Sequence, residues 1–192
     1  HSQSLEAWFA HIPGLVVVAP STPADNHGLL LAALASGDPV VYMEHKELWG
    51  TPGAVTSGDV VPLGKARVAP AGSDLTIVSW SRQMQACEQA AEQLAAQGVQ
   101  AELIDLRTIW PWDRDAVLQS VAKTGRLLVV HEAIRVAGFG AEIAATVAEE
   151  TGAKGARLGA PRIPVCYAPT LEAEARVSPA QIVDAVQQLV AP

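Results

Sequence analysis

Residues 75–107 read LTIVSWSRQMQACEQAAEQLAAQGVQAELIDLR. LTIVSW (75–80) has the look of a strand, RQMQACEQAAEQLAAQG (82–98) of an amphipathic helix closed by Gly98, and AELIDLR (101–107) of the next strand. A strand, a helix long enough to cross over and a second strand make a crossover unit, which joins parallel strands of one sheet. This unit decides the fold class, because the same alternation continues on both sides of it.

Toward the C-terminus, PWDRDAVLQSVAKTG (111–125) is a helix with Pro111 and Asp113 at its start, and RLLVVHE (126–132) is a strand. GAEIAATVAEETG (140–152) is a helix, ARLGAPRIPV (156–165) holds a short strand, and SPAQIVDAVQQLVA (178–191) is a last helix capped by Ser178 with Pro179 at its first position. Toward the N-terminus, KELWGTPGAVTSGDVVPLGK (46–65) breaks the rhythm with four glycines and two prolines and reads as a linker. Before it lie a short amphipathic helix, LEAWFAHI (5–12), and the strand LVVVA (15–19), apolar throughout as in a strand buried on both faces. The helix STPADNHGLLLAALASG (21–37) follows, with Ser21 or Thr22 as cap and Gly37 as terminator, and then the strand PVVYMEH (39–45). The expected fold class is α/β: a partial lobe over 1–45, a linker over 46–65, and an open, mostly parallel sheet domain over 66–192.

Composition narrows the function. The chain has 192 residues, 49% hydrophobic and 17% charged, with a net charge of −7. A chain of this size buries about 70% of its unfolded surface and needs no metal or disulfide to hold a core. The negative charge argues against nucleic acid or an anionic membrane as partner, and no apolar run reaches the roughly 18 residues of a membrane span. Cys87 and Cys166 lie 79 positions apart without metal-ligand spacing and read as free core thiols, which points to a reducing cytosol.

In open α/β sheets ligands collect at the carboxyl ends of the strands. Those ends carry residues 79–82, 107–112 and 131–139. His131 and Glu132 form a titratable pair there, but neighbours on a strand point to opposite faces. Two alternatives stand: a functional contact, or a structural one in which the histidine is buried or the glutamate pairs across an interface. VAGFGAE (136–142) lacks the third glycine of a dinucleotide fingerprint, which favours a tight turn with a close-packed helix. Trp110 and Trp112, in WPW, suit a lid or interface patch better than a base-stacking platform. His11, inside an apolar helix, reads as structural. His1, Ser2, Gln3 and Ser4 form a polar loop ahead of that helix, a fair place for proton transfer. The C-terminal domain by itself shows no self-contained catalytic set.

HSQSLEAWFAHIPGLVVVAPSTPADNHGLLLAAL (1–34), DPVVYMEHKELWG (38–50), LIDLRTIWPWD (103–113) and KTGRLLVVHEA (123–133), in that order, resemble the beta subunit of thiamine-diphosphate-dependent 2-oxo acid dehydrogenases. That group acts on pyruvate or branched-chain 2-oxo acids and includes the similar acetoin dehydrogenases. The resemblance implies a pyrimidine-binding lobe over 1–45 and a transketolase-type C-terminal domain over 66–192. It makes His1 the active-site histidine, contributing to proton handling and acyl transfer to a lipoyl group, with Ser2 and Gln3 as supports. An imidazole, with its ordinary pKa of about 6.5, suits that role.

The resemblance also implies thiamine diphosphate with Mg²⁺, held mainly by an alpha subunit, and a second beta subunit and a lipoyl acyltransferase core as further partners. No counterpart of the family's aminopyrimidine-binding glutamate lies in these residues, so the chain alone is expected neither to bind the cofactor tightly nor to turn over. A monovalent cation, K⁺, is implied on the backbone carbonyls of Ala33, Ser36 and Asp38. His131, Glu132, Trp110 and Trp112 are candidate interface residues. The compartment implied is the cytoplasm, with a mitochondrial matrix origin as the alternative. Two other functions are an assembly or docking role alone, and a different thiamine enzyme such as a transketolase; HSQSLEAWFAHIPG and HEA disfavour the last.

Overall fold

The computed structural model describes residues 3–191. In chain order the elements are α1 (Glu6–Ala10), β1 (Val16–Val18), α2 (Pro23–Ala35), β2 (Val40–Tyr42), a 3₁₀ turn (Lys46–Leu48), β3 (Arg67–Val68), β4 (Leu75–Ser79), α3 (Gln83–Ala96), β5 (Ala101–Asp105), β6 (Thr108–Trp110), α4 (Arg114–Thr124), β7 (Arg126–Ile134), α5 (Gly140–Thr151), β8 (Lys154–Ala160), α6 (Pro169–Glu174) and α7 (Pro179–Val190). They build a five-stranded sheet in the order β3-β5-β4-β7-β8 and a three-stranded sheet in the order β2-β1-β6. In the larger sheet β5, β4, β7 and β8 are parallel and only the two-residue β3 runs against its neighbour. The expected α/β class with a mostly parallel sheet is observed.

Local chemistry places the helix ends. The Thr22 hydroxyl accepts the Asp25 N–H at 3.1 Å and Pro23 opens α2. The Asp113 carboxylate accepts the Ala116 N–H at 3.3 Å, and α4 ends at Gly125, whose φ of 72° suits glycine. Ser178 and Gln181 form a reciprocal capping box at the start of α7.

Period-two alternation in the central strands divides the core into two layers. Leu75 and Ile77 of β4, Leu103 of β5 and Leu128 and Val130 of β7 pack against Met84, Cys87 and Leu94 of α3 and Ile182 and Val186 of α7. Val78, Ile104, Leu127 and Val129 face the other way, onto Val117 and Val121 of α4, Ile143 and Val147 of α5, and Val17 of β1. The two sheets therefore share a core, and the smaller one caps one end of the larger.

Three elements depart from expectation. Within 107–112, where Trp110 is read as part of a lid or interface patch and no strand is expected, Thr108–Trp110 forms β6, antiparallel to β1. Arg107 reverses the chain at φ 59°, its carbonyl accepts the Ala19 N–H at 2.8 Å, and the fully buried Leu106 and Ile109 flank the turn. Burial of those two side chains outweighs the strain of a non-glycine residue at positive φ. The two short elements β3 and α6 carry too few residues for a periodic signal and were not anticipated.

Candidate functional site

The carboxyl ends of β2 and β4, and the end of β7, open into one cleft of about 350 Å³ between the two sheets. Gln3 and Glu6 come to it from the N-terminal segment, His45 and Glu47 from the chain after β2, Trp80 from the end of β4, Glu132 from β7, and Arg176 from just ahead of α7.

His131 and Glu132 do point to opposite faces. His131 is fully buried, its ring stacked on Trp80 with centroids 5.4 Å apart and planes at 25°. Its Nδ1 donates to the Ala133 carbonyl at 3.0 Å, which leaves Nε2 an acceptor, and that buried atom has no partner. Burial pushes the His131 pKa down to about 4, so the imidazole is neutral at physiological pH. His131 therefore offers no surface to a partner, which corrects its expected place at an interface. The β7–β8 register slips between Val130 and Ile134, at the His131–Ala133 segment itself, and such irregularities re-aim side chains.

The glycines of the 136–142 turn belong to this histidine. A Cβ on Gly138 would lie 2.7 Å from His131 Cε1, and one on Gly140 2.7 Å from His131 Cδ2. Gly159 of β8 closes the cage, where a Cβ would meet His131 Cε1 at 2.7 Å. The G-x-G spacing thus makes room for a ring, in keeping with a tight turn and a close-packed helix.

Glu132 faces the cleft and meets His45 across it: His45 Nε2 lies 3.1 Å from one carboxylate oxygen and 3.3 Å from the other. His45 Nδ1 accepts the Glu47 N–H at 3.2 Å. A backbone amide can only donate, so the neutral ring carries its proton on Nε2 and donates it to Glu132. Burial works to raise the Glu132 pKa, but the His45 hydrogen bond and the nearby charges of Arg176 and Arg82 hold it below the usual carboxylate range. Sequence reasoning passed over His45, although the rule that flagged Ser79, Arg107 and His131 applies equally to the carboxyl end of β2.

Glu6 lies buried behind this pair and accepts the Trp80 Nε1–H at 3.0 Å. Burial raises its pKa, against hydrogen bonds from its own backbone and Trp80, and the Glu132 charge adds to the rise. At the rim Arg176 bonds Glu47 and also Glu172 at 3.1 Å, while Arg82 Nε donates to Glu47 at 2.9 Å.

A second polar cluster joins the sheets on another side. Ser21 bonds Asp105, Arg67 pairs with Asp105 at 3.1 Å, and Arg107 pairs with Asp25 at 3.1 Å. Burial pushes Asp105 up to about 6, against the Ser21 hydrogen bond and the Arg67 charge.

The remaining expected residues are dispersed. His1 and Ser2 lie outside the described residues, and Gln3 is exposed on the cleft wall. Ala33, Ser36 and Asp38 sit at the end of α2, where the Ala33 carbonyl already accepts the Ser36 N–H at 3.2 Å and Ser36 Oγ accepts the Asp38 N–H at 3.2 Å. Trp110 is 41% exposed on β6, and Trp112 packs partly into the core. His11 is exposed rather than buried, because α1 turns that side of its last turn to solvent. Cys87 is buried and Cys166 half-buried, both free thiols. Among the described residues no cluster of His, Cys, Asp or Glu side chains is arranged to hold a metal ion, and no helix is long and apolar enough to cross a membrane.

Comparison with known proteins places this arrangement. Residues 64–182 match the family described as transketolase, C-terminal domain, and residues 1–51 the family described as transketolase, pyrimidine binding domain. The chain is 44% identical over 193 residues to the acetoin:2,6-dichlorophenolindophenol oxidoreductase subunit beta of Cupriavidus necator, covering 98% of this chain and 57% of that protein. It is 40% identical to the 2-oxoisovalerate dehydrogenase subunit beta of Bacillus subtilis, covering 98% and 60%, and 42% identical to the pyruvate dehydrogenase E1 component subunit beta of Rhizobium meliloti, covering 97% and 42%. The chain thus spans roughly half the length of these relatives. In fold it is similar to a split-gene transketolase solved as an inactive beta4 tetramer, with a TM-score of 0.86 at 23% identity over 96% of this chain and 61% of that one. The chain belongs to the transketolase C-terminal domain family, and its relatives are beta subunits of acetoin, branched-chain 2-oxo acid and pyruvate dehydrogenases.

Proposed function

We propose that this chain is part of the beta subunit of a thiamine-diphosphate-dependent 2-oxo acid or acetoin dehydrogenase component, which passes an acyl group to a lipoyl carrier. The observation that carries this is the cleft between the sheets, built at strand carboxyl ends by segments that match both transketolase domains. Its partners are an alpha subunit, a second beta subunit and the lipoyl acyltransferase core. The exposed Trp8, Trp49 and Trp110 offer apolar anchors for such surfaces. The compartment is the cytoplasm, or the mitochondrial matrix.

The cofactor fits this chain only in part. Glu6, Glu44, Glu47, Glu132 and Glu172 line the cleft, with Lys46 and Arg176 as its cationic side chains. Such a wall suits the cationic and amine-bearing rings of thiamine and repels a diphosphate, which agrees with diphosphate and Mg²⁺ resting on the alpha subunit. When bound, thiamine diphosphate supplies the electron sink for the carbon–carbon bond cleavage. The residues here contribute proton-handling side chains and a wall that excludes water. Catalysis is assigned to His1, supported by Ser2 and Gln3, and K⁺ to the carbonyls of Ala33, Ser36 and Asp38.

The test is reconstitution with the alpha subunit, thiamine diphosphate and Mg²⁺, followed by reduction of dichlorophenolindophenol with pyruvate, 3-methyl-2-oxobutanoate and acetoin in turn. Dye reduction with one of them, absent when the alpha subunit is left out, is expected. Silence with all three, in an assembly shown to form, would overturn the assignment and leave a docking role.

A further inference from the structure

The function proposed above assigns no role to the pair that spans the cleft. We propose that His45 and Glu132 are a positioning pair for the reaction: His45 holds the Glu132 carboxylate as a fixed negative charge on the cleft floor, where it favours the charged form of a cationic proton donor or cationic ring. The proposal rests on the dehydrogenase assignment and extends it to two residues.

Three observations carry it. The two residues come from different sheets, His45 from beyond β2 and Glu132 from β7, and meet only at the cleft. The imidazole is locked in one tautomer by the Glu47 amide on Nδ1, so its Nε2–H is committed to Glu132. A hydrogen-bonded support of this kind orients the group it holds. Both side chains also remain about one-fifth exposed toward the cleft, at 21% and 18%. The pair thus combines a fixed two-point geometry with access to the cleft.

Charge distribution assigns the role to Glu132. At the rim Glu47 and Glu172 are offset by Arg176 and Arg82, and Glu44 points to Asn26. Glu6, behind, is buried against the Trp80 indole. Glu132 faces the cleft with no arginine in contact and is held there by His45.

The experiment uses the assembled alpha–beta enzyme and compares Glu132→Gln, His45→Ala, His45→Gln and the double variant His45→Ala/Glu132→Gln. Glu132→Gln keeps an acceptor for the Nε2–H and removes only the charge. It is expected to lower kcat by ~10-fold or more with KM within about twofold, as for loss of one preorganised electrostatic contact. The basic limb of its pH–rate profile should move to lower pH, because a cationic acid loses its stabilising neighbour. His45→Ala should match it, His45→Gln should recover much of the loss through its amide N–H, and the double variant should be no worse than either single change. An unchanged rate and pH profile in Glu132→Gln would overturn the pair while leaving the dehydrogenase assignment intact. Failure of Glu132→Gln to fold or assemble would make the pair structural, which also overturns the proposal. A wild-type assembly without activity overturns the assignment itself, and the pair falls with it.

Discussion

The His131 imidazole lies flat against the Trp80 indole, with centroids 5.4 Å apart, and the same indole donates its Nε1–H to Glu6 at 3.0 Å. One aromatic side chain therefore ties the end of β7 to α1, and α1 directly follows the segment that opens the chain. The stack also fixes a titration. With its folded pKa at about 4 and its unfolded pKa near the ordinary value of about 6.5, His131 binds a proton more readily in the unfolded chain. Stability should therefore rise with pH across the window from about 4 to 6.5. The span corresponds to about 3 kcal/mol at most. The rise in urea midpoint from pH 4.5 to 7 should be smaller in His131→Gln than in the wild type, or turn into a fall, and an identical change in both would show that His131 does not titrate as its burial requires. Asp105, raised to about 6, works in the opposite direction over nearly the same window, so the variant comparison and not the raw wild-type slope isolates the histidine.

The cage around His131 yields a packing prediction. At Gly140 a Cβ would press on His131 Cδ2 at 2.7 Å and on Val129 Cγ1 at 2.9 Å, both side chains held in a full core. Gly140→Ala should cost about 1–3 kcal/mol by overpacking. In a His131→Ala background the same change should cost clearly less, because its nearest obstacle is gone. Equal costs in both backgrounds, measured by chemical denaturation, would locate the glycine's role in the backbone.

Much of this was legible beforehand, for reasons that differ between elements. Residues 75–107 carry long periodic signals with clear stops, and the crossover they imply is present as β4, α3 and β5. Cap chemistry is equally local, so Ser178 with Pro179 located the start of α7. β6 was hidden because three residues have no period, and because its partner β1 lies some ninety positions away. The site was half legible. Opposite orientation of His131 and Glu132 follows from strand geometry, but that the histidine needs three glycines, one of them in β8, depends on a tertiary approach. His45 was missed for the same reason: its meaning lies in Glu132, 87 positions on.

The link between the two sheets at Asp25 should be costly to break. Arg107 donates to Asp25 at 3.1 Å and, through Nε and Nη2, to the Lys65 carbonyl at 3.1 and 2.8 Å. Asp25 is buried, so Arg107→Ala leaves a carboxylate short of its partner, at a cost of about 3 kcal/mol or more. Arg107→Lys should recover little, since one ammonium cannot reproduce the fork to both acceptors. Limited proteolysis should show faster cutting within 46–65 in both variants. An unchanged melting midpoint in Arg107→Ala would mean that Arg67, 3.9 Å from Asp25, takes over.

Thiol chemistry separates the two cysteines. Cys87 is wholly buried between α3 and the sheet, and burial pushes its thiol up to about 12. At pH 8 almost none of it is thiolate, and the thiolate is the reactive form. Cys166, half-buried in the stretch between β8 and α6, has no such enclosure. An aromatic disulfide reagent should therefore modify one thiol per native chain, at Cys166, and two after denaturation in guanidinium. Cys166→Ser should abolish the native reaction while leaving one thiol in denaturant. Prompt labelling of Cys87 in the native chain would mean that α3 and α7 part readily, because Met84, Leu94, Ile182 and Val186 otherwise seal the layer in which it lies.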